Sequence, residues 1–279
     1  MPVSILILTF NEEMNLPACL TSVVWSDDIV VFDSFSSDRT VDIAKAAGAR
    51  VFQRAFDDYG SQREAARVSV EYKYPWVLAL DADERVDDEL REEIIALMSS
   101  PSAVNHVAYR VRRKDHFMGR WIKHSTLYPS WFIRLYRHQA VRYEPRTVHE
   151  YPEITGPVGE LNGHLIHHSF NKGLADWVHK HIRYAGLEAR ENLRHVASCS
   201  IDWAGLFSFD PVRRRRTLKG LSFRLPFRPL LRFIYMYVLR RGILDGYSGF
   251  TYCCLISIYE YLIVLSIKEQ LRKKKDLPF

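Results

Sequence analysis

At 279 residues, 47% of them hydrophobic and 26% charged, the chain can bury a full-sized core, which excludes a disordered protein. Four cysteines, Cys19, Cys199, Cys253 and Cys254, have no metal-ligand spacing. The formal net charge of +6 would suggest nucleic acid if it were spread over the fold, but the excess sits late in the chain.

Met1 leads straight into an apolar run with no basic leader, so the soluble part is expected in the cytosol. Val3 to Thr9 (VSILILT) is of strand length, and Ile29 to Phe32, Ala49 to Gln53 and Trp76 to Leu80 are three similar runs. Glu13 to Val24, Ser37 to Ala47 and Ser61 to Glu71 have the spacing of helices, with Ser37 or Asp38 as a cap and Gly48 as a stop. Strands alternating with crossover helices predict a mainly parallel α/β sheet with flanking helices, whose ligands bind beyond the carboxyl ends of the strands.

Those ends are polar and acidic: Thr9 to Glu13, Asp33 to Thr40, and Asp81, Ala82, Asp83 and Glu84. Asp33 suits a donor group on a base or sugar, and the amides and hydroxyls of Ser34 to Ser37 suit a nucleotide pocket. Side chains at alternate positions of an extended segment point the same way, so Asp81 and Asp83 are expected to converge on one site fit for Mg²⁺ or Mn²⁺. The alternative is that these acids cap a helix over Asp87 to Met98. No Gly-x-Gly-x-x-Gly or Gly-x-x-x-x-Gly-Lys loop is present, which argues against a dinucleotide fold and a P-loop enzyme.

ILILTFNEE, DSFSSDRT, YGSQREAA and LALDADE, in this order over residues 1 to about 110, resemble the nucleotide-sugar domain of glycosyltransferase family two, inverting enzymes of the GT-A fold. SWFIRLYR at 130–137, TVHE at 147–150 and LIHHSFNKGLADWVHKHIRYAGLEA at 165–189 are similar to the branch containing the lipopolysaccharide-core β-glucosyltransferases. The resemblance implies that Thr9, Asn11, Glu12 and Asp33 surround the nucleoside and that Arg63 approaches the diphosphate. It implies Asp81 at the ribose or a metal-bound water, and Asp83 on a divalent ion bridging two phosphates. A metal and an arginine there would stabilise the negative charge that develops on the leaving nucleoside diphosphate. Where the family has Gln-Arg-Asn, this chain has Gln62, Arg63 and Glu64, so position 64 has no assigned role.

Inverting transfer needs a base for the acceptor hydroxyl. In the resembling enzymes the His-Glu pair matching His149 and Glu150 lies near the sugar, which implies Glu150 as base and His149 as the residue that orients it. A surface salt bridge from Glu150 to Arg142 or Arg146 is the alternative. Among His164, His167 and His168, His167 is the candidate third metal ligand, against a hydrogen-bonded core histidine. Trp131 and Arg134, near Trp121 and Tyr128, are candidates for acceptor or sugar contact; packing over the sheet is the alternative.

Leu174, Trp177, Val178, His181, Tyr184 and Ala185 form a helical stripe. Between Pro211 and Leu244 there is no acidic residue, and arginines alternate with bulky apolar side chains, a pattern of interfacial membrane helices on anionic lipid. The run from Phe250 to Ile267 carries only Glu260 as a charge and is flanked by basic residues on both sides, which favours a helical pair turning at Gly242 to Gly249 over a single crossing and excludes a nucleic-acid arm. A core helix or an oligomer interface is the alternative.

The expected organisation is a nucleotide-sugar half over 1–110, an acceptor-binding and catalytic half of the same domain over 111–200, and membrane-associating helices over 201–279. The expected function is metal-dependent transfer from a nucleotide sugar, UDP-linked, to a lipid-linked saccharide at the cytoplasmic face of the inner membrane. A nucleotidyltransferase acting on a sugar phosphate would carry a glycine-rich basic loop after the first strand, and NEEMNLP is not one. A non-catalytic nucleotide-binding scaffold would have no need of Asp33, Asp81, Asp83 and Glu150 together.

Overall fold

Strands covered by helices on both sides have no solvent face, which is why their sequences read as unbroken apolar runs. In the computed structural model, which describes residues 3–99, 105–143, 152–198, 217 and 227–278, β1 (Val3–Thr9), β2 (Ile29–Asp33) and β4 (Trp76–Asp81) are such strands, and β3 (Arg50–Gln53) is the half-buried edge strand beside β2. They pair in parallel in the order β3-β2-β1-β4. Alternate residues feed two apolar clusters: Ile5, Ile7, Leu78 and Leu80 belong to one, Leu6, Val30, Val77 and Ala79 to the other.

The crossovers are α1 (Leu16–Ser22), α2 (Thr40–Ala46) and α3 (Tyr59–Ser69). Pro17 near the start of α1 fits a first helical turn, and the helix begins after the polar stretch 9–13 instead of at Glu13. Asp38 accepts from the Thr40 amide at 3.0 Å, and Gly48 follows α2 at φ +77°, a conformation glycine adopts without strain.

After β4 the chain turns at Ala82 and Asp83, and β5 (Glu84–Val86) becomes a sheet edge. The helix α4 (Asp88–Met98) is capped by Asp87, which accepts from the Leu90 amide at 2.9 Å, so capping does not fall to the acids at 81–84. Beyond β4 the sheet is mixed. It continues through β8 (Ser130–Arg137), β6 (Ala108–Phe117) and β11 (Val158–His167) to β5, with β7 (Arg120–Trp121) folded back on β6. β8 is antiparallel to both neighbours, because β6 and β8 are joined by a short return and not by a crossover helix. β9 (Val141–Tyr143) and β10 (Pro152–Ile154) form a separate antiparallel pair.

The chain divides into two compact units at Gly173 and Leu174. The second contains α5 (Leu174–Ser198), α6 (Arg228–Ile234), a π-helical turn over Tyr235–Leu239, a 3-10 turn over Gly242–Asp245, and α7 (Gly246–Lys273). The helix over 174–198, expected with the acceptor-binding half, packs against α7, so the division falls at 173 and not at 200.

β11 crosses α4 closely enough that a Cβ at Gly163 would lie 2.3 Å from both the N and the Cα of Leu90. Backbone cannot yield there as a side chain could. Gly163→Ala should therefore cost about 3 kcal/mol or more by urea unfolding; a loss below about 1 kcal/mol would contradict this close approach.

Candidate active site

The first two strand ends are laced into one rim. Asp33, fully buried at the end of β2, accepts from the Thr9 hydroxyl at 2.9 Å, the Ser36 amide at 2.9 Å and Gln53 Nε2 at 3.0 Å, with the Ser36 hydroxyl as a fourth donor. Its acceptor capacity is thus spent on shaping the loop, not on the open face expected from the sequence. Asn11, at φ +53°, accepts from the Ser37 amide at 2.8 Å, while the amides of Glu12 and Glu13 donate to Thr40 Oγ1 at 2.7 Å and Asp38 Oδ2 at 3.0 Å. Phe10 and Phe35 project from these two loops into solvent.

Two residues not anticipated close the rim. Lys172 Nζ lies 2.7 Å from Glu12 Oε1 and donates to the Asn11 carbonyl at 3.0 Å, and Asn171 Nδ2 donates to Asn15 Oδ1 at 2.8 Å. Burial raises the Glu12 pKa, and its contacts with Lys172 and Asn15 oppose that rise. The Asn-Lys pair stands in the sequence just before Gly173, but nothing local to it points back to the first strand.

The three acids after β4 have three different partners. Asp81 holds Arg63 of α3 through Oδ1 at 2.7 Å and Arg134 of β8 through Oδ2 at 2.6 Å. The same Arg134 nitrogen reaches Glu84 Oε1 at 2.7 Å, and Glu84, fully buried, accepts from the Asp81 amide at 3.0 Å. Asp83 faces His167, Oδ2 to Nε2 at 3.3 Å, and His167 Nδ1 lies 2.6 Å from Asp115 Oδ1. Arg113 joins the two groups, 3.8 Å from Glu84 and 3.0 Å from Asp115. The result is a continuous row of alternating charge: Arg63, Asp81, Arg134, Glu84, Arg113, Asp115, His167, Asp83.

Ionisation follows from the row. Desolvation opposes charge on Asp81, yet Arg134 and Arg63 outweigh it and hold the carboxyl well below the usual range. Burial raises Glu84, with Asp81 adding to the rise and Arg134 opposing it. His167 is disfavoured as a cation by burial and by Arg113, but Asp83 and Asp115 prevail and push it up to about 9.

Several expectations change. Asp81 and Asp83 do not converge, because the chain turns between them and strand alternation no longer applies. Both Asp81 oxygens are held by guanidiniums, which leaves Asp83 and His167 as the pair fit for a divalent ion. The fit is sound: a carboxylate and an imidazole nitrogen meet, Asp115 fixes the other ring nitrogen as carboxylates do behind metal-bound histidines, and Mg²⁺ or Mn²⁺ needs only a few protein ligands beside water and phosphate. Arg134 is buried under the rim and cannot face a sugar. Trp131 lies against Arg110 and Arg112, whose guanidiniums are 5.3 and 5.4 Å from its ring centre. Glu64 pairs with Arg67 and accepts from the Tyr143 amide at 3.0 Å, so it ties α3 to β9. His149 and Glu150 lie outside the described residues.

Asp87, Glu89 and His164 form a second acid-imidazole group within metal-binding reach. Asp87 already caps α4, accepts from the His164 amide at 3.0 Å and faces Lys114 Nζ at 3.5 Å, so local cationic and helix-end charge serves it. His164 and His167 are an odd number of residues apart on β11 and face opposite sides of the sheet.

Arg134→Ala should cost about 3–5 kcal/mol in urea unfolding, because Glu84 is left in the core without its nearest counter-charge; adding Glu84→Met should recover part of the loss, and no recovery would mean that the cost lies in packing. A histidine whose folded pKa is raised from the ordinary 6.5 to about 9 stabilises the fold fully below about pH 6.5 and loses that contribution as pH rises through 9. In chelated, metal-free buffer the stability of the protein should therefore fall across that window, and His167→Gln should remove this part of the slope.

Residues 4–156, more than half of the chain, match glycosyl transferase family 2. The lipopolysaccharide core biosynthesis glycosyltransferase LpsC of Rhizobium meliloti is 26% identical over 97% of this chain and 93% of its own length. An uncharacterized glycosyltransferase of Rickettsia typhi is 24% identical over 99% of this chain and 89% of its own. Among solved structures, S. aureus TarS 1–349 in complex with UDP-GlcNAc is similar at a TM-score of 0.44, with 14% identity over 94% of this chain and 91% of that one. The family match runs from the first strand through the ends of β1, β2 and β4 up to β10, and on that ground the chain belongs to glycosyl transferase family 2.

Proposed function

We propose that this protein is an inverting, metal-dependent glycosyltransferase that moves a hexose from a UDP-sugar to a lipid-linked saccharide of the lipopolysaccharide-core class. The observation that carries the reading is the row of charges that ends on Asp83 and His167 beside the carboxyl ends of the parallel strands. A nucleoside diphosphate gains negative charge as its bond to the sugar breaks, and preorganised positive groups stabilise that charge where it develops. A divalent ion at Asp83 and His167 supplies this counter-charge when bound. Arg63 of α3, fixed by Asp81, adds to it.

The loops carrying Thr9, Asn11, Glu12 and Asp33 hold the nucleoside, with Asp33 setting their shape from below. Glu150 takes the proton of the acceptor hydroxyl and His149 orients it, while Trp131 offers an aromatic face to a sugar ring. The near full-length match to a relative named for lipopolysaccharide core biosynthesis supports a core saccharide as acceptor. Such an acceptor is lipid-borne, and our reading has the reaction at the cytoplasmic face of the inner membrane, where nucleotide sugar is at hand.

Calorimetry of UDP with and without Mn²⁺ tests the donor site. Asp83→Ala should abolish the metal-dependent part of the affinity, and unchanged metal dependence would remove Asp83 from the site. Glu150→Gln should keep near-normal UDP affinity and lose most of the transfer rate, about a hundredfold or more; transfer at the wild-type rate would assign the base elsewhere.

A further inference from the structure

A helix on the surface of a soluble domain turns its charges outward and its apolar side chains inward. Along α6 and the π-helical turn after it the order is reversed. Leu230, Leu231, Ile234, Tyr235, Val238 and Leu239 are 40–69% exposed, and every strongly exposed side chain between residues 228 and 239 is apolar. The cations of the same stretch turn inward. Arg228 Nη2 lies 2.6 Å from Glu260 Oε2 of α7 and Arg232 Nε lies 3.9 Å from Oε1, with the Arg228 and Glu260 side chains only 11% and 12% exposed. Ser257 Oγ donates to the Pro229 carbonyl at 2.7 Å, so a further polar contact is internal. α7 continues the pattern: it belongs to a stretch long and apolar enough to cross a membrane, little of which is buried, and Tyr247, Phe250, Ile258 and Tyr261 face outward.

We infer that the hairpin of α6 and α7 inserts into the hydrocarbon region of an anionic lipid bilayer, apolar face outward against acyl chains, with the Arg228–Glu260 pair sealed inside. Apolar surface alone would not choose between lipid and protein. Charge makes the choice. Arg240 and Arg241 stand at the turn, and Lys268 and the cluster from Arg272 to Lys275 stand at the far end of α7, so cations bracket the apolar run where anionic headgroups would meet them. The apolar part of α7, residues 246–267, is about 33 Å long at 1.5 Å per residue, against a hydrocarbon core of about 30 Å. Charged groups at membrane depth persist when they pair with one another, which the internal pair does.

The inference deepens the proposed function by naming the surface on which a lipid-borne acceptor is met, and it rests on that reading only there. Full-length protein should float with vesicles of phosphatidylcholine and phosphatidylglycerol, and should stay bound in high salt, because salt screens headgroup attraction and not apolar insertion. Ile234→Asp with Val238→Asp changes two outward positions and should weaken vesicle binding by at least about tenfold, while calorimetric UDP affinity stays at the wild-type value and certifies the fold. Leu239→Asp, at the most exposed of these positions, repeats the test with one change. Equal flotation of these variants, release of the wild-type chain by salt alone, or a detergent-free dimer that the variants dissociate without any vesicle binding would each overturn the inference. Failure of the transferase reading has a different signature: wild-type protein that floats but binds no UDP.

Discussion

Arg134 sits where a guanidinium is hardest to keep, beneath the rim on the strand next to the parallel half of the sheet. Removing such a charge from water costs several kcal/mol unless well-placed counter-charges offset it, and Asp81 and Glu84 are those counter-charges. The constraint acts in both directions. Because Arg134 must be neutralised, the turn after β4 is compelled to fold Asp81 and Glu84 toward it, and the odd acid between them, Asp83, is turned out toward His167. The Asp83–His167 pair is the remainder of a buried electrostatic problem solved by the chain itself.

The row also sets the charge of the site. Its three guanidiniums face four carboxylates, and the proton on His167 completes the balance. A divalent ion that replaces this proton leaves the row net positive, as suits a bound diphosphate. The same logic separates this end of the sheet from Asp87 and His164, where a helix cap and Lys114 already satisfy the acid.

The parallel half was legible because burial on both faces leaves a simple trace, a run such as VSILILT between helical segments. The polar strand ends were legible for the same reason, since they interrupt those runs abruptly. The partners of the acids were not. Arg134 lies 50 residues from Glu84, inside SWFIRLYR, and no local pattern distinguishes an arginine turned under the sheet from one at its surface. Arg113 and Asp115 stand in the charged stretch RVRRKDHF, which reads as solvent-facing until β11 covers one side. Asp81 and Asp83 misled for a different reason: alternation holds only while the chain stays extended, and it turns at Ala82. In the second unit composition revealed apolar and basic character, but which of them faces outward depends on Glu260, some 30 residues from the cations it holds.

The position of β8 has a consequence in time. It lies between β4 and β6, yet follows both in the chain, so the sheet cannot grow outward one strand after another as it leaves the ribosome. Until β8 arrives, Glu84 lacks the cation that lies closest to it in the interior, and until β11 arrives, β5 has no strand to pair with. Contacts that join such distant parts of the chain form slowly and late. The parallel half can gather early around its own helices, whereas the acids at its edge must wait in water for residues synthesised long after them, so that the row of charges is among the last parts of the first unit to exist.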